Sequence, residues 1–237
     1  MGEERTAPEV VWTRARRAPR RQPMTLERIV DAAIGIADTE GLEALSMRRV
    51  AAQLDSGTTS LYRNVTSRDE LLDLMIDAVQ GEEMPLPFGD WRACLRTVAR
   101  HQRTILLRHP WLGGVMSTRP AFGPNTLRRT DIALGAAGIL TPDITLASDI
   151  VVVLTQHVFG AVSRELADRE AQRRTGLTET QWRASIGPYI REVVASGEYP
   201  HFARRVIEAT DHTFDELFEF GLDCLLDGIA GKVGERS

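Results

Sequence analysis

Apolar residues recur along the chain at the spacing of helices. After Thr25, the residues Leu26, Ile29, Ala33, Ile36 and Ala37 share one face up to Gly41, a residue type favoured just past a helix end. Val50, Ala51 and Leu54 line one side of a second, short helix that Ser46 is placed to cap. Leu61 and Val65 then lie four apart, so a third helix can pack on the second. Between these two, Asp55-Ser56-Gly57 supplies turn chemistry: Gly57 is free to take positive φ, and Asp55 can bond nearby backbone. Ser67-Arg-Asp-Glu70 has the capping-box pattern and opens a fourth helix through Ala78. Residues 81–90, Gly-Glu-Glu-Met-Pro-Leu-Pro-Phe-Gly-Asp, break helix repeatedly and read as the link to a second domain.

From Trp91 a stripe of Leu95, Val98, Ala99, Ile105 and Leu106 continues to His109-Pro110. Residues 111–120 read as a short irregular stretch whose apolar side chains suit the lining of a cavity better than a surface loop. Further helices are expected over 126–137, 142–173, 179–195 and 213–229. The helix over 142–173 is apolar on more than one face, and such a helix must be buried on both sides. The last helix aligns Phe214, Leu217, Phe218, Gly221, Leu225 and Gly228, a stripe that suits an internal core or a second copy of the chain equally. The expected architecture is therefore all-α: an arm over 1–24, a helix-turn-helix unit with its connecting helix over 25–80, and a larger helical domain over 81–237.

A length of 237 residues with 43% hydrophobic content suits this division into a small and a larger domain. No apolar run approaches the roughly 18 residues that cross a bilayer, and the first thirty residues are charged rather than signal-like, so a cytoplasmic protein without membrane attachment is expected. Cys94 and Cys224 have no companion at metal spacing and read as buried packing residues. The five histidines are scattered, and no nucleophile elbow, phosphate loop, dinucleotide fingerprint or zinc-protease motif occurs. An enzyme with an unrecognised small-molecule site would leave two features of the chain unexplained.

Those features are basic and polar. Arg14, Arg16, Arg17, Arg20 and Arg21 stand in the first 24 residues with no acid between Glu9 and Glu27, so the arm can follow phosphates or enter a minor groove. The net charge of -4 speaks against a general polyanion binder and confines any DNA contact to a local patch. Such a patch is offered by Thr58, Thr59, Ser60, Tyr62, Arg63 and Asn64, an acid-free face of hydroxyls, an amide and a cation. Ser46, Arg48 and Arg68 flank it as further candidates, Arg68 as a phosphate clamp at the mouth of the fourth helix.

The segments Thr25-Leu-Glu-Arg-Ile-Val-Asp-Ala-Ala, Ala37-Asp-Thr-Glu-Gly-Leu-Glu-Ala-Leu-Ser-Met-Arg-Arg-Val-Ala, Ser60-Leu-Tyr-Arg-Asn-Val and Ser67-Arg-Asp-Glu-Leu-Leu resemble, in order, the DNA-binding domain of the tetracycline repressor (TetR) family. His109-Pro-Trp111, Gly123-Pro-Asn125 and Phe220-Gly-Leu-Asp-Cys-Leu-Leu-Asp-Gly228 are similar to the C-terminal domain of the tetracycline-repressor type. The resemblance implies a homodimeric transcriptional regulator, most often a repressor, released from double-stranded operator DNA by a small molecule. In a dimer the long apolar helix and the last helix would pair with their copies, Gly221 and Gly228 allowing close approach.

The sequence departs from the family at Asp55, where a Gly is frequent, at Ser56, where an apolar residue is, and at Asn64, where a His is common. Thr118-Arg-Pro120 matches a loop that lines the family's drug site, yet Val115 stands where that loop would carry a magnesium-binding histidine. His157 corresponds at best to a second such histidine and reads as a satisfied core residue. Neither metal nor cofactor is expected. The expected ligand is a small apolar or amphipathic organic molecule, lined by Met84, Val98, Gln102, Trp111, Val115, Met116, Thr118, Arg119, Phe122 and His157.

Overall fold

The structure, a computed structural model, describes residues 23–83, 89–116 and 122–234. Among them every regular element is helical: α1 (Leu26–Glu40), a 3-10 turn (Leu42–Ala44), α2 (Met47–Gln53), α3 (Thr58–Leu61), α4 (Arg68–Gln80), α5 (Trp91–Arg108), α6 (Trp111–Met116), α7 (Pro124–Gly138), α8 (Ile144–Thr175), α9 (Glu179–Ser196), α10 (Pro200–Glu208) and α11 (Phe214–Gly234). Residues 1–22 of the arm, Met84, Thr118 and Arg119 lie outside the described residues.

Local chemistry sets the helix ends. Thr25 Oγ1 accepts the Arg28 N–H at 3.4 Å, Ser46 Oγ that of Arg49 at 3.2 Å, and Ser67 Oγ that of Glu70 at 3.0 Å, so α1, α2 and α4 start on their expected caps. Glu70 turns back to Thr66, accepting its N–H at 2.6 Å and also its hydroxyl proton. Gly41 ends α1 at φ 84°. The turn between α2 and α3 corrects one expectation: Gly57 has φ -84°, whereas Asp55 takes φ 47°. Asp55 follows the C-cap Leu54, the position at which a chain leaving a helix turns left-handed, and Asp tolerates that region better than most residues.

Two further corrections concern the body. Residues 111–116 are helical rather than irregular, because Trp111 and Leu112 bury their side chains and the Leu112 N–H bonds His109 O at 3.0 Å. Helix α10, for which the periodicity gave no expectation, opens on Pro200, whose fixed φ suits a first turn.

The small head packs α1 to α4 around Ile29, Ala33, Ile36, Val50, Leu61, Val65, Leu71 and Met75. Helix α4 runs on from the head to lie against α7, and α5, α7, α8 and α11 enclose Leu95, Ile105, Leu106, Leu154, Phe218 and Leu222. Along one side α5 and α11 are joined by a ladder of ion pairs, Arg92–Asp227 at 2.7 Å, Arg96–Asp223 at 2.6 Å, Arg100–Glu219 at 2.7 Å and Arg103–Asp215 at 2.6 Å. Burial opposes the Arg103 charge, while Asp215 and Glu165 sustain it and raise its pKa.

Helix α8 buries a single stripe within its own chain, Ala147, Ile150, Leu154, Val158 and Val162, while Ile144, Val152 and Val153 are exposed. The expectation of burial on both sides therefore fails for one chain taken alone. By length and composition α8 is apolar enough to cross a membrane, which a search for unbroken apolar runs does not register. Cys94 is buried as expected, but Cys224 is exposed beside the apolar groove that α8 forms with α11. Gly221 makes its close approach within the chain, since a Cβ there would stand 2.5 Å from His157 Cε1.

Candidate functional site

Leu61 and Val65 are both 0% exposed and pin the α3 segment to the head, which fixes what faces outward. Thr59, Tyr62, Arg63 and Asn64 are exposed and Thr58 and Ser60 half-buried, so the six polar candidates share the outer side of this turn. Asn64 Nδ2 donates to Ser60 O at 3.2 Å. Ser46 and Arg48 are exposed beside them, and neither Arg48 nor Arg63 enters an ion pair among the described residues. The neighbouring Arg49 is engaged by Glu40 at 2.5 Å, and this hydrogen-bonded pair lowers the Glu40 pKa. Arg68 is committed within the head: its Nε and Nη2 donate to Leu45 O at 3.2 Å and Leu42 O at 3.3 Å, tying the start of α4 to the 3-10 turn.

The body grips both the head and the far end of α4. His109 is buried, with Nδ1 at 2.8 Å from Asp38 Oδ1 of α1 and Nε2 at 2.7 Å from Glu82 Oε1 beyond α4. Trp111 Nε1 donates to the same Asp38 oxygen at 2.7 Å. Arg129 Nε donates to Gln80 O at 2.6 Å, meeting the negative end of the α4 dipole, and Gln80 Nε2 reaches Met116 Sδ at 3.3 Å. Arg129 Nη2 also faces His101 Nε2. A guanidinium only donates, so that nitrogen of His101 is an acceptor and the ring is neutral; burial, then the Arg129 charge, pushes its pKa down to about 4.

The expected ligand residues are distributed over the body. Val98 and Gln102 on α5, and Val115 and Met116 on α6, are half-buried. Trp111 is turned to Asp38 of the head, and Phe122 is 73% exposed. His157 Nε2 lies 3.1 Å from Phe218 O, and its ring stacks on Phe218 at 5.3 Å, which satisfies it inside the α8–α11 packing. Among the described residues no three His, Cys, Asp or Glu side chains are grouped to hold a metal. Sequence reasoning passed over Asp38, Asp77, Glu82, His101 and Arg129. The phrases containing Asp38, His109 and Asn125 touched this joint, and Trp111 and Met116 were expected as ligand contacts, but nothing in the sequence paired any of them.

A small helical head that turns an acid-free polar face outward, joined by one helix to a larger helical body, defines a helix-turn-helix DNA-binding protein. Residues 85–233 match the family model described as tetracyclin repressor-like, C-terminal domain. The chain is 43% identical over 238 residues to the HTH-type transcriptional repressor DrrR1 of Streptomyces coeruleorubidus, spanning 96% of this chain and 86% of that protein. It is 28% identical over 221 residues to the class A tetracycline repressor protein from transposon 1721 of Escherichia coli, over 89% of this chain and 91% of that one. ActR of Streptomyces coelicolor, solved in complex with actinorhodin, superposes with a TM-score of 0.73 at 31% identity, covering 90% of this chain and 100% of ActR. The chain belongs to the TetR family and is a transcriptional regulator rather than an enzyme.

Proposed function

We propose that the protein is a repressor that binds a palindromic operator as a homodimer through α2 and α3, and leaves it when a small apolar or amphipathic organic molecule enters the body. The exposed, acid-free face from Thr58 to Asn64 carries this reading, because it offers base and phosphate contacts on a chain whose net charge is negative. Ser46 and Arg48 add phosphate contacts around it, Arg68 holds the start of α4 beside them rather than clamping a phosphate, and the operator is read in the cytoplasm without a membrane.

Dimerisation through α8 and α11 is supported by an apolar groove of about 280 Å³ lined by Leu146, Ile150, Val153, Leu225 and Ile229. Gly228 borders it with nothing within 4 Å of the place a Cβ would occupy, which leaves room for a partner helix. A two-fold pair of heads suits half-sites about one helical turn apart. The organic nature of the ligand is supported by ActR, whose structure holds actinorhodin. Its lining is drawn from Met84, Val98, Gln102, Trp111, Val115, Met116, Thr118, Arg119, Phe122 and His157.

The test selects duplexes from a random pool with the full-length protein, measures mass in solution, and titrates the selected complex with actinorhodin and a library of organic compounds. A palindromic consensus, two chains per duplex and release by at least one compound are expected. A monomer that selects no consensus would falsify the reading.

A further inference from the structure

We propose that Asp77, in the last turn of α4, is the positioning residue through which the body governs the recognition helices, because it serves as the helix cap of α7. The inference rests on the regulatory reading above.

Helix α7 opens on Pro124 after Gly123, which has no side chain with which to cap it. Its orphan donors are satisfied across the joint. The Asn125 and Thr126 N–H groups both donate to Asp77 Oδ1 at 3.0 Å, and Asn125 Nδ2 donates to Asp77 Oδ2 and to the Asp77 carbonyl, each at 3.1 Å. The Thr126 hydroxyl adds a longer contact to Oδ1 at 3.4 Å. A carboxylate in this place also meets the positive end of the α7 dipole.

Two glycines keep the arrangement open. A Cβ at Gly123 would collide with the Asp77 carboxylate, so the residues that ordinarily cap a helix from this position would expel it. A Cβ at Gly81 would stand 2.6 Å from Asn125 Nδ2. Helix α7 thus does without a cap of its own and takes one from the helix that carries the head.

That contact lies on the line between the two functions. At its other end α4 is fixed to the head through Arg68 and the carbonyls of Leu42 and Leu45. One turn into α7, Arg129 holds the Gln80 carbonyl at 2.6 Å. Helix α7 itself follows directly on the segment in which the sequence places Thr118, Arg119 and Phe122 as ligand contacts. A molecule that shifts the first turn of α7 must carry Asp77 with it or break the bonds to Asn125 and Thr126. By reciprocity, operator binding at the head must be felt in the same turn.

A cap that served stability alone would make no such connection, and one pair of variants separates the roles. Asp77→Gly removes the cap. Asp77→Gly combined with Gly123→Asp, in which the Asp77 Cβ that would stand 2.7 Å from a Cβ at 123 is also gone, gives α7 a cap of its own and frees its first turn from the carboxylate of α4. The probe is a duplex selected with the wild-type protein, and the readout is hydrogen exchange of the amides of residues 125–129 with and without it. In the wild type the duplex should change exchange in this turn by about fivefold or more. In the doubly substituted protein that response should fall severalfold, Arg129 and the Asn125 bond to the residue 77 carbonyl being the links that remain, while the melting temperature rises above that of Asp77→Gly and the duplex still binds. Asp77→Asn, which keeps Oδ1 but sets two amide N–H groups against each other, should respond only partly and serves if the double variant does not fold. An undiminished response in the re-capped or the Asn variant, or a wild-type α7 that ignores a duplex it binds, overturns the inference. A wild-type protein that selects no duplex removes the regulatory reading itself and this inference with it.

Discussion

His101 makes the packing between α5 and α7 depend on pH in a direction that can be worked out. Its Nε2 accepts from Arg129, and burial followed by the Arg129 charge pushes its pKa from 6.5 down to about 4, partly opposed by Glu82. In the unfolded chain the ring takes up a proton near pH 6.5, whereas in the folded protein it does so only near pH 4. Between these values the folded state binds fewer protons than the unfolded one, so stability falls as the pH drops through the window. At about 1.4 kcal/mol per pH unit the whole interval corresponds to about 3 kcal/mol. The ring is only partly buried, so solvent screening reduces this to about 1–2 kcal/mol, or about 3–6 °C in melting temperature for a chain of this size.

The perturbation is His101→Gln, whose amide oxygen can accept from Arg129 at every pH. Exposed carboxylates titrate over the same range, so the informative quantity is the difference in melting temperature between wild type and variant at each pH. That difference should be flat above about pH 7 and should shift in favour of the variant as the pH falls towards 4. Curves that stay parallel from pH 7.5 to 4.5 would refute the assignment of a neutral, accepting His101.

Three further outcomes are expected. Replacing Thr58, Ser60 and Tyr62 together by Ala should abolish preference for the selected operator, at about 1–3 kcal/mol for each base pairing removed, with mass and melting unchanged; gel shifts of cognate and scrambled duplexes check this. Deleting residues 1–21 should weaken binding to all duplexes and flatten its dependence on salt, by about 0.9 in slope for each phosphate that the arm no longer neutralises, which titrations at several salt concentrations measure. Asp55→Gly should leave stability within about 0.5 kcal/mol of wild type, because the φ of 47° suits Gly, whereas Asp55→Val should cost about 1–2 kcal/mol; equal urea midpoints would argue against left-handed strain at this turn.

What the chain discloses about itself depends on the distance over which each interaction acts. The caps at Thr25, Ser46 and Ser67 bond groups three residues away, so a local window contains both partners and the starts of α1, α2 and α4 can be read directly. The turn is harder although it is equally local. Asp and Gly both tolerate positive φ, and sequence chemistry alone puts the left-handed residue at Gly57 rather than at Asp55, where α2 ends. Helix α8 is a different case: apolar positions on all sides say that the helix is covered, but not by which molecule, and one chain covers only the stripe through Ile150 and Val158.

The joint between head and body lies beyond any window. Asp38 meets His109 across 71 residues and Asp77 meets Asn125 across 48, and each taken alone is an ordinary charged or polar residue on a helix surface. Gly123-Pro-Asn125 can be noticed as a phrase, yet its first residue gains meaning only when the Asp77 carboxylate is found in the space a side chain would fill. A contact surface for DNA must be presented on one short, exposed element, which keeps its residues close together in sequence. A coupling must join elements that fold apart, so its residues are dispersed by necessity. The turn proposed to read DNA is therefore legible from residues 46 to 65, while the device proposed to govern it emerges only when α1, α4, α5 and α7 are seen together.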